Sequence, residues 1–297
     1  MKGLVKTPLT GVPREEWLKM RRQSIGGSDA AAIIGLNPYS SPFSIWADKT
    51  GRLPEKEDNE AMRQGRDFED YVARRWTEVT EKKVRRDNAI LRNPVYPFAH
   101  ADIDRWVVGE NAGLECKTTS VMNLKKFKNG EYPDNFYCQC MHYMAVTGAD
   151  RWYLAVLVLN QGFYEYTIER DDDEIAALMA QESEFWKLVE NDTPPPPDGS
   201  DATGAALKEV YPLDEEKPPV YLYGNELKLD ELDRLKSEKK VLDSRISEIN
   251  NELIALLQGA PKGILNGYEI TLQTICKKPY TVMPKPYTAL RIKEVKL

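Results

Sequence analysis

Residues Ala99 to Ser120 read Ala-His-Ala-Asp-Ile-Asp-Arg-Trp-Val-Val, then Gly-Glu-Asn-Ala, then Gly-Leu-Glu-Cys-Lys-Thr-Thr-Ser. Side chains alternate between the two faces of a strand. Asp102 and Asp104 therefore share one face of a first strand, with Ala101 and Ile103 on the other. Glu115 and Lys117 share a face of a second strand, opposite Leu114 and Cys116. The polar run Gly109 to Gly113 predicts a hairpin turn between them. Pairing of the two strands would bring an aspartate, a glutamate and a lysine to one place. Two hard carboxylates suit Mg²⁺ or Mn²⁺, with no need for imidazole or thiolate. A lysine two residues on can hold an attacking water or stabilise a charged phosphorane. The plain alternative is a half-buried hairpin with solvated charges on its outer face.

The chain has 297 residues, enough for one sizeable domain and an appendage. Hydrophobic content of 41% and charged content of 30% are ordinary for a globular protein. No apolar run reaches the length of a membrane span, and the N-terminus has no secretory pattern. A cytoplasmic protein with no membrane partner is expected. Four cysteines are too few and too scattered for a disulfide framework, and all four are expected to be buried as small apolar groups. A net charge of −6 does not mark a nucleic-acid binder, but local clusters are basic. They comprise the first thirty residues, the run Lys82, Lys83, Arg85 and Arg86, and the run Lys125, Lys126 and Lys128.

In order, Pro13 to Gln23 predicts a helix with Trp17 and Arg21 on one face. The turn at Gly26-Gly27 feeds a short helix with Ser28 or Asp29 as N-cap, a geometry open to phosphate. Pro42 to Thr50 and Asp58 to Thr80 are further helices. The second carries the stripe Met62, Gly65, Glu69, Val72, Trp76 and Val79. Glu69 sits where that stripe wants an apolar side chain, so it needs a metal, a basic group or an escape to solvent. Lys83 to Leu91 and Pro97 to Val108 predict strands. Val121 to Phe127 predicts a short basic helix. Asp134 to Thr147 predicts a helix ended by Gly148, with Gln139 and Tyr143 on one face and His142 adjacent. Arg151 to Leu159 and Gly162 to Ile168 predict a strand hairpin, and Asp171 to Glu174 open another helix. Pro194 to Pro197 begin a stiff linker. The expected organisation is a domain over 1–193, a proline-rich linker over 194–225, a coiled-coil helix over 226–258 and a small β appendage over 259–297. The coiled-coil expectation rests on Leu232, Leu235, Lys239, Leu242, Ile246, Ile249, Leu253 and Leu256, spaced three and four apart. An Asn266-Gly267 turn marks the terminal hairpin.

The Asp…Glu-x-Lys set resembles the signature of the restriction-endonuclease-like nuclease superfamily. The order helix, three strands, helix, strand fits that core, an α/β fold with a mixed central sheet flanked by helices. Over residues 14 to 190 the chain resembles the lambda-type phage exonuclease group, the YqaJ-like viral recombinases. That resemblance rests on Trp17, Arg21, Gly26 and Ser28; on Gly65 and Glu69; on Glu115 and Lys117; and on Gln139, Tyr143, Met144, Val146, Thr147 and Gly148. The family's metal aspartate falls on Asp104. It usually stands in Asp-Gly-Leu, and here in Asp104-Arg105-Trp106, which leaves Asp102 open as the alternative.

The resemblance implies a two-metal Mg²⁺ site, with Mn²⁺ as substitute, on Asp104, Glu115 and the Cys116 carbonyl, with Glu69 as a further candidate ligand. Lys117 would orient or activate water, and Gln139 would position water or substrate. Arg21 and Ser28 would bind the terminal 5′ phosphate, with Asp102, Gln139 and Tyr143 also toward DNA. The implied activity is Mg²⁺-dependent 5′-to-3′ exonuclease digestion of duplex DNA in phage-type recombination, leaving 3′ overhangs by metal-activated water attack. Implied partners are double-stranded DNA with 5′-phosphorylated ends, further copies in a ring (trimer or tetramer), and a single-strand annealing protein. The implied location is the cytoplasm of a bacterium or phage-infected host. An endonuclease with the same site, and a non-catalytic DNA-binding or assembly module, are the alternatives.

Overall fold

The computed structural model describes residues 3–55 and 58–276, with Thr288, Leu290 and Ile292. Two compact units divide the chain, Met1–Leu213 and Asp214–Leu297. The first begins with β1 (Val5–Pro8), α1 (Arg14–Arg22), α2 (Gly27–Ile33), α3 (Pro42–Lys49) and α4 (Glu60–Thr80). It continues with β2 (Val84–Arg85), β3 (Ala89–Arg92), β4 (His100–Ala101), β5 (Arg105–Val107) and β6 (Ala112–Thr119). A 3₁₀ turn (Val121–Phe127) precedes α5 (Asp134–Thr147), β7 (Arg151–Val158), β8 (Gly162–Glu169), α6 (Asp172–Glu190) and α7 (Asp201–Val210).

The central sheet has the order β2-β5-β6-β7-β8. β5 and β6 form the expected antiparallel hairpin, with Arg105 opposite Leu114. β6 then runs parallel to β7, Glu115 beside Leu154 and Lys117 beside Val156. A parallel pair needs a crossover, and α5 supplies it. Alternation along β6 decides which helix covers which face. Leu114 packs with Val72, Ala73 and Trp76 of α4, and Cys116 joins the edge of that cluster. Leu154 and Val156 face the opposite layer, where Cys140, Met141 and Met144 of α5 pack. Gly113 leaves room for the Trp152 indole, since a Cβ there would lie 2.2 Å from Cζ2.

Two expected strands are each broken. Lys83 to Leu91 splits into β2 and β3, and Pro97 to Val108 into β4 and β5. β3 and β4 belong to a second sheet of order β1-β3-β4, whereas β2 and β5 belong to the first. The chain changes sheets twice, so Arg86 to Asn88 and Asp102 to Asp104 lie outside both ladders. Asp87 serves one such crossing by accepting from Trp106 Nε1 at 3.0 Å and from Lys6.

The segment expected as linker over 194–225 contains α7. Thr203 Oγ1 donates to Ser41 Oγ at 2.7 Å, and Ala206 is buried in a cluster with Phe43 and Trp46 of α3. The first unit therefore extends past the expected boundary at 193. The second unit holds α8 (Glu226–Leu257), 32 residues with no buried side chain, and the hairpin of β9 (Lys262–Leu265) and β10 (Tyr268–Thr271). Much of the expected appendage beyond Cys276 lies outside the described residues. Cys138 and Cys140 are buried, but Cys116 is only partly so and Cys276 is exposed, contrary to the expectation for all four. Among the described residues, no helix is long and apolar enough to cross a membrane.

Candidate active site

A cleft of about 1400 Å³ opens between α1, α3, α4 and the ends of β5 and β6. Asp102, Asp104, Glu115, Cys116, Lys117 and Glu69 line its floor, and Trp17 and Arg21 line one wall. The β5–β6 register puts Asp104 across from Glu115. Asp104 Oδ2 accepts from the Cys116 N–H at 2.7 Å, which pins the carboxylate to β6. Glu115 is almost wholly buried, and its Oε1 meets Lys117 Nζ at 2.5 Å and Gln139 Nε2 at 2.9 Å. Gln139 Oε1 accepts from Lys117 Nζ at 2.9 Å, so glutamate, lysine and amide form a closed triangle.

The electrostatics follow from crowding. Burial, then Glu115 and Glu69, push the Asp104 carboxyl well above its ordinary range. Burial likewise raises Glu115, although Lys117 opposes it. Burial works against the Lys117 ammonium, but Glu115 and Asp104 outweigh it and hold its pKa up. Two like-charged carboxylates in one low-dielectric floor are a poor arrangement without a cation. Glu115 Oε2 is buried with no hydrogen-bond partner, an orphaned acceptor aimed at nothing else in the protein. This donor set, hard oxygens on two carboxylates, fits a divalent ion completed by solvent or phosphate.

Glu69, the further candidate ligand, is engaged by arginines through one of its oxygens. Arg105 Nη1 donates to Glu69 Oε1 at 2.6 Å and to the Asp104 carbonyl at 2.6 Å. Arg86 Nη2 reaches the same Glu69 oxygen at 2.9 Å. The interruption of the α4 stripe is thus answered by arginines, and Arg66 pairs instead with Asp58.

Asp102 stands apart from Asp104, toward α1. Its Oδ2 accepts from Trp17 Nε1 at 3.2 Å, and burial raises its pKa against the pull of Arg21. The Arg21 guanidinium lies 4.9 Å above the Trp17 ring and donates to Ser28 Oγ at 3.1 Å. Its Nε has no partner. Neither Ser28 nor Asp29 is the N-cap of α2. Gly26 is, and Asp29 reaches back from the third position to accept from the Gly26 N–H at 3.0 Å. Burial disfavours the Asp29 carboxylate, but Lys49 at 2.6 Å and Arg21 overcome it and hold its pKa well down.

Tyr143, expected toward DNA, is buried under α2. Its hydroxyl donates to the Asp102 carbonyl at 3.0 Å and accepts from Gln139 Nε2 at 2.9 Å. Behind it, His142 Nδ1 meets Glu182 Oε1 of α6 at 2.8 Å with both side chains fully enclosed.

Sequence reading gave Arg105, Arg86 and Lys49 no role at the site. For Arg105 a signal existed: strict alternation puts it on the apolar face with Ala101 and Ile103, where a guanidinium needs acids.

The fold is restriction-endonuclease-like, a mixed sheet with the acidic hairpin at its cleft. Its likeness to the alkaline exonuclease LHK-Exo of Laribacter hongkongensis covers 60% of this chain and 93% of that one, with a TM-score of 0.52 and 21% identity. The same protein in complex with dAMP gives a TM-score of 0.51 and 19% identity over the same 60% of this chain and 93% of that one. The YqaJ-like viral recombinase domain matches residues 16–150. The uncharacterized protein YqaJ of Bacillus subtilis (strain 168) is 39% identical over 271 residues, 90% of this chain and 83% of that one. The chain belongs to the YqaJ-like viral recombinase family.

Proposed function

We propose that this protein is a Mg²⁺-dependent 5′-to-3′ exonuclease of double-stranded DNA, acting in phage-type recombination in the cytoplasm of a bacterium or phage-infected host. The observation that carries the proposal is the pair Asp104 and Glu115, crowded on the cleft floor with an orphaned carboxylate oxygen and with Lys117 fixed beside it. Family membership and the fold shared with an alkaline exonuclease support it. Asp104, Glu115 and the Cys116 carbonyl would hold the ions, with Mn²⁺ as a substitute. Bound there, divalent metal would supply an activated water and charge stabilisation for both attacking and departing oxygens.

The protein's own groups do the remainder. Lys117, held between Glu115 and Gln139, presents an ammonium to the water or to the phosphate oxygen. Gln139 fixes that ammonium and Glu115 together, and Tyr143 fixes Gln139. Arg21, with an unpartnered Nε and with Ser28 on its fork, is the anchor for a terminal 5′ phosphate. Such an anchor at a set distance from the carboxylates gives strand polarity without base contacts. The expected partners remain a ring of further copies and a single-strand annealing protein.

The test is incubation of linear and covalently closed circular duplex with Mg²⁺. Loss of linear DNA alone is expected, faster from 5′-phosphorylated than from 5′-hydroxyl ends. Cutting of the circle would instead identify an endonuclease, and survival of both a non-catalytic module.

A further inference from the structure

The corner between α1 and α2 holds more buried charge than a phosphate anchor of Arg21 and Ser28 uses. Lys49 of α3 has a side chain only 3% exposed, and its ammonium spans that corner. It meets Asp29 Oδ2 at 2.6 Å and donates to the Arg21 carbonyl at 3.0 Å. The same Asp29 oxygen accepts from the Gly26 N–H at 3.0 Å and so closes the start of α2. Asp29 directly follows Ser28, the partner of Arg21, and Arg21, Asp29 and Lys49 line one cleft. Burial works against the Asp29 charge, but Lys49 and Arg21 keep the carboxylate ionised. An ionised carboxylate fixed beside an anion site repels the anion, the more so where the dielectric is reduced. Arg22 takes up the other aspartate of this wall, Asp48, at 3.1 Å. Arg21 itself has the Ser28 hydroxyl and the Trp17 ring, and no carboxylate at ion-pair distance among the described residues. The two ion pairs leave its guanidinium open to an anion.

We propose that Lys49 is a positioning residue that cancels the charge of Asp29, so that the helix start presenting Ser28 does not repel a 5′ phosphate. It acts through Asp29 and does not itself touch DNA. This rests on the reading of Arg21 and Ser28 as the 5′-phosphate anchor. The division of labour suits the two side chains. A compact ammonium with two acceptors and almost no exposure stays where it is, whereas the planar guanidinium of Arg21 keeps part of its fork for phosphate. Asp29 remains because α2 needs its cap, and Lys49 removes the electrostatic consequence of that cap.

The experiment is single-turnover cleavage of linear duplex with Mg²⁺ by the full chain, as wild type, Lys49→Met, Asp29→Asn and the double variant. The reading is the protein concentration at half-maximal rate on 5′-phosphate and on 5′-hydroxyl ends, and the ratio of the two is the phosphate preference. Wild type is expected to saturate earlier on phosphorylated ends. Lys49→Met should lose about tenfold of that preference, the size of one uncompensated charge close to the anion. Asp29→Asn should gain by a similar factor, because its amide oxygen can still accept from Gly26 while the charge is gone. The double variant should return to the wild-type ratio. An unchanged ratio in Lys49→Met overturns the proposal. So does a loss that persists in the double variant, since Lys49 would then hold phosphate directly or serve only as a prop. Should circular dichroism show Lys49→Met unfolded, Asp29→Asn decides, with a raised ratio expected and none refuting. Wild type separates the two levels. If it cleaves both ends alike, or neither, the anchor reading fails; if it prefers phosphate and Lys49→Met keeps that preference, the compensation alone fails.

Discussion

Gly27→Ala should damage catalysis far more than stability. A Cβ on Gly27 would stand 2.5 Å from Tyr143 Cε1, 2.9 Å from Cζ and 3.1 Å from Gln139 Cγ. Carbon pairs rest at about 3.5–4.0 Å, so the first turn of α2 and the Tyr143 ring must part by about 1 Å. The ring cannot swing freely. It is buried, tied by its hydroxyl to Asp102 and Gln139, and packed 5.2 Å from the Trp152 ring. Overpacking of this kind costs about 1–3 kcal/mol. Alanine's helical preference returns about 1 kcal/mol, leaving a net loss of about 0–2 kcal/mol. A domain stable by about 5–15 kcal/mol survives that. The displaced Gln139 and Asp102 do not, because a misplacement of about 1 Å in a catalytic array can cost about 100-fold in rate. Urea denaturation and single-turnover cleavage of linear duplex would measure the two effects. Gly65→Ala, with nothing within 4 Å of its Cβ, is the control for helix preference and should not lose stability. A Gly27→Ala protein as stable and as fast as wild type would refute the reasoning.

Three other predictions follow from burial and charge. Asp104→Asn should raise the thermal midpoint without divalent ions, since it removes a crowded carboxylate while an amide oxygen can still accept from Cys116. Scanning calorimetry should show a shift of about 2–4 °C for each kcal/mol relieved, and a lower midpoint than wild type would contradict it. His142 and Glu182 should make stability fall with rising pH. Burial opposes His142 protonation, but Glu182 outweighs it and raises the histidine, while burial raises Glu182. Both shifts mean that the native state holds protons more tightly. The histidine's stabilisation is complete below its unfolded value of about 6.5 and is lost as pH climbs through the raised one, while the glutamate's is complete only below its unfolded value of about 4.3 and is lost as pH climbs through its own raised one. Urea midpoints between about pH 6 and about pH 9 should decline in wild type and flatten in His142→Gln. Finally, a fragment ending at Leu213 should fold and cleave. One ending at Ser200 should lose about 2 kcal/mol, because it lacks Ala206 and the Thr203–Ser41 hydrogen bond. Equal urea midpoints for the two fragments would deny α7 that role.

The carboxylate hairpin was legible because period-two alternation and a glycine-bounded turn are local properties of residues 99 to 120. The helix of Gln139 and Tyr143 was legible for the same reason. What failed was long-range. Alternation cannot show that a chain leaves one sheet for another, so the crossings at Arg86 to Asn88 and Asp102 to Asp104 looked like continuous strand. β1 has only four residues and includes a proline, too little for a periodic signal. α7 hides behind four prolines, and its evidence is a contact with Ser41 from 162 positions away. Glu69 was marked as misplaced, but its arginine partners lie 36 and 17 positions onward and no spacing rule connects them.

The parallel pairing of β6 with β7 also sets when the centre comes into being. Ala112 pairs with Arg151 and Thr119 with Val158, so β6 waits for the whole of α5 before its second neighbour exists. Non-local parallel pairing forms late, after loop-closure entropy has been overcome. Asp104 and Glu115 leave the ribosome as a bare hairpin, while Gln139 and the strand that braces Lys117 are still unmade. An emerging or prematurely ended chain would therefore carry the acids without the cleft, and cutting power would arrive together with cooperative folding rather than ahead of it. Pulse-labelled hydrogen exchange during refolding should find the Lys117 and Val156 amides gaining protection in the same phase; early protection of Lys117 alone would break that link.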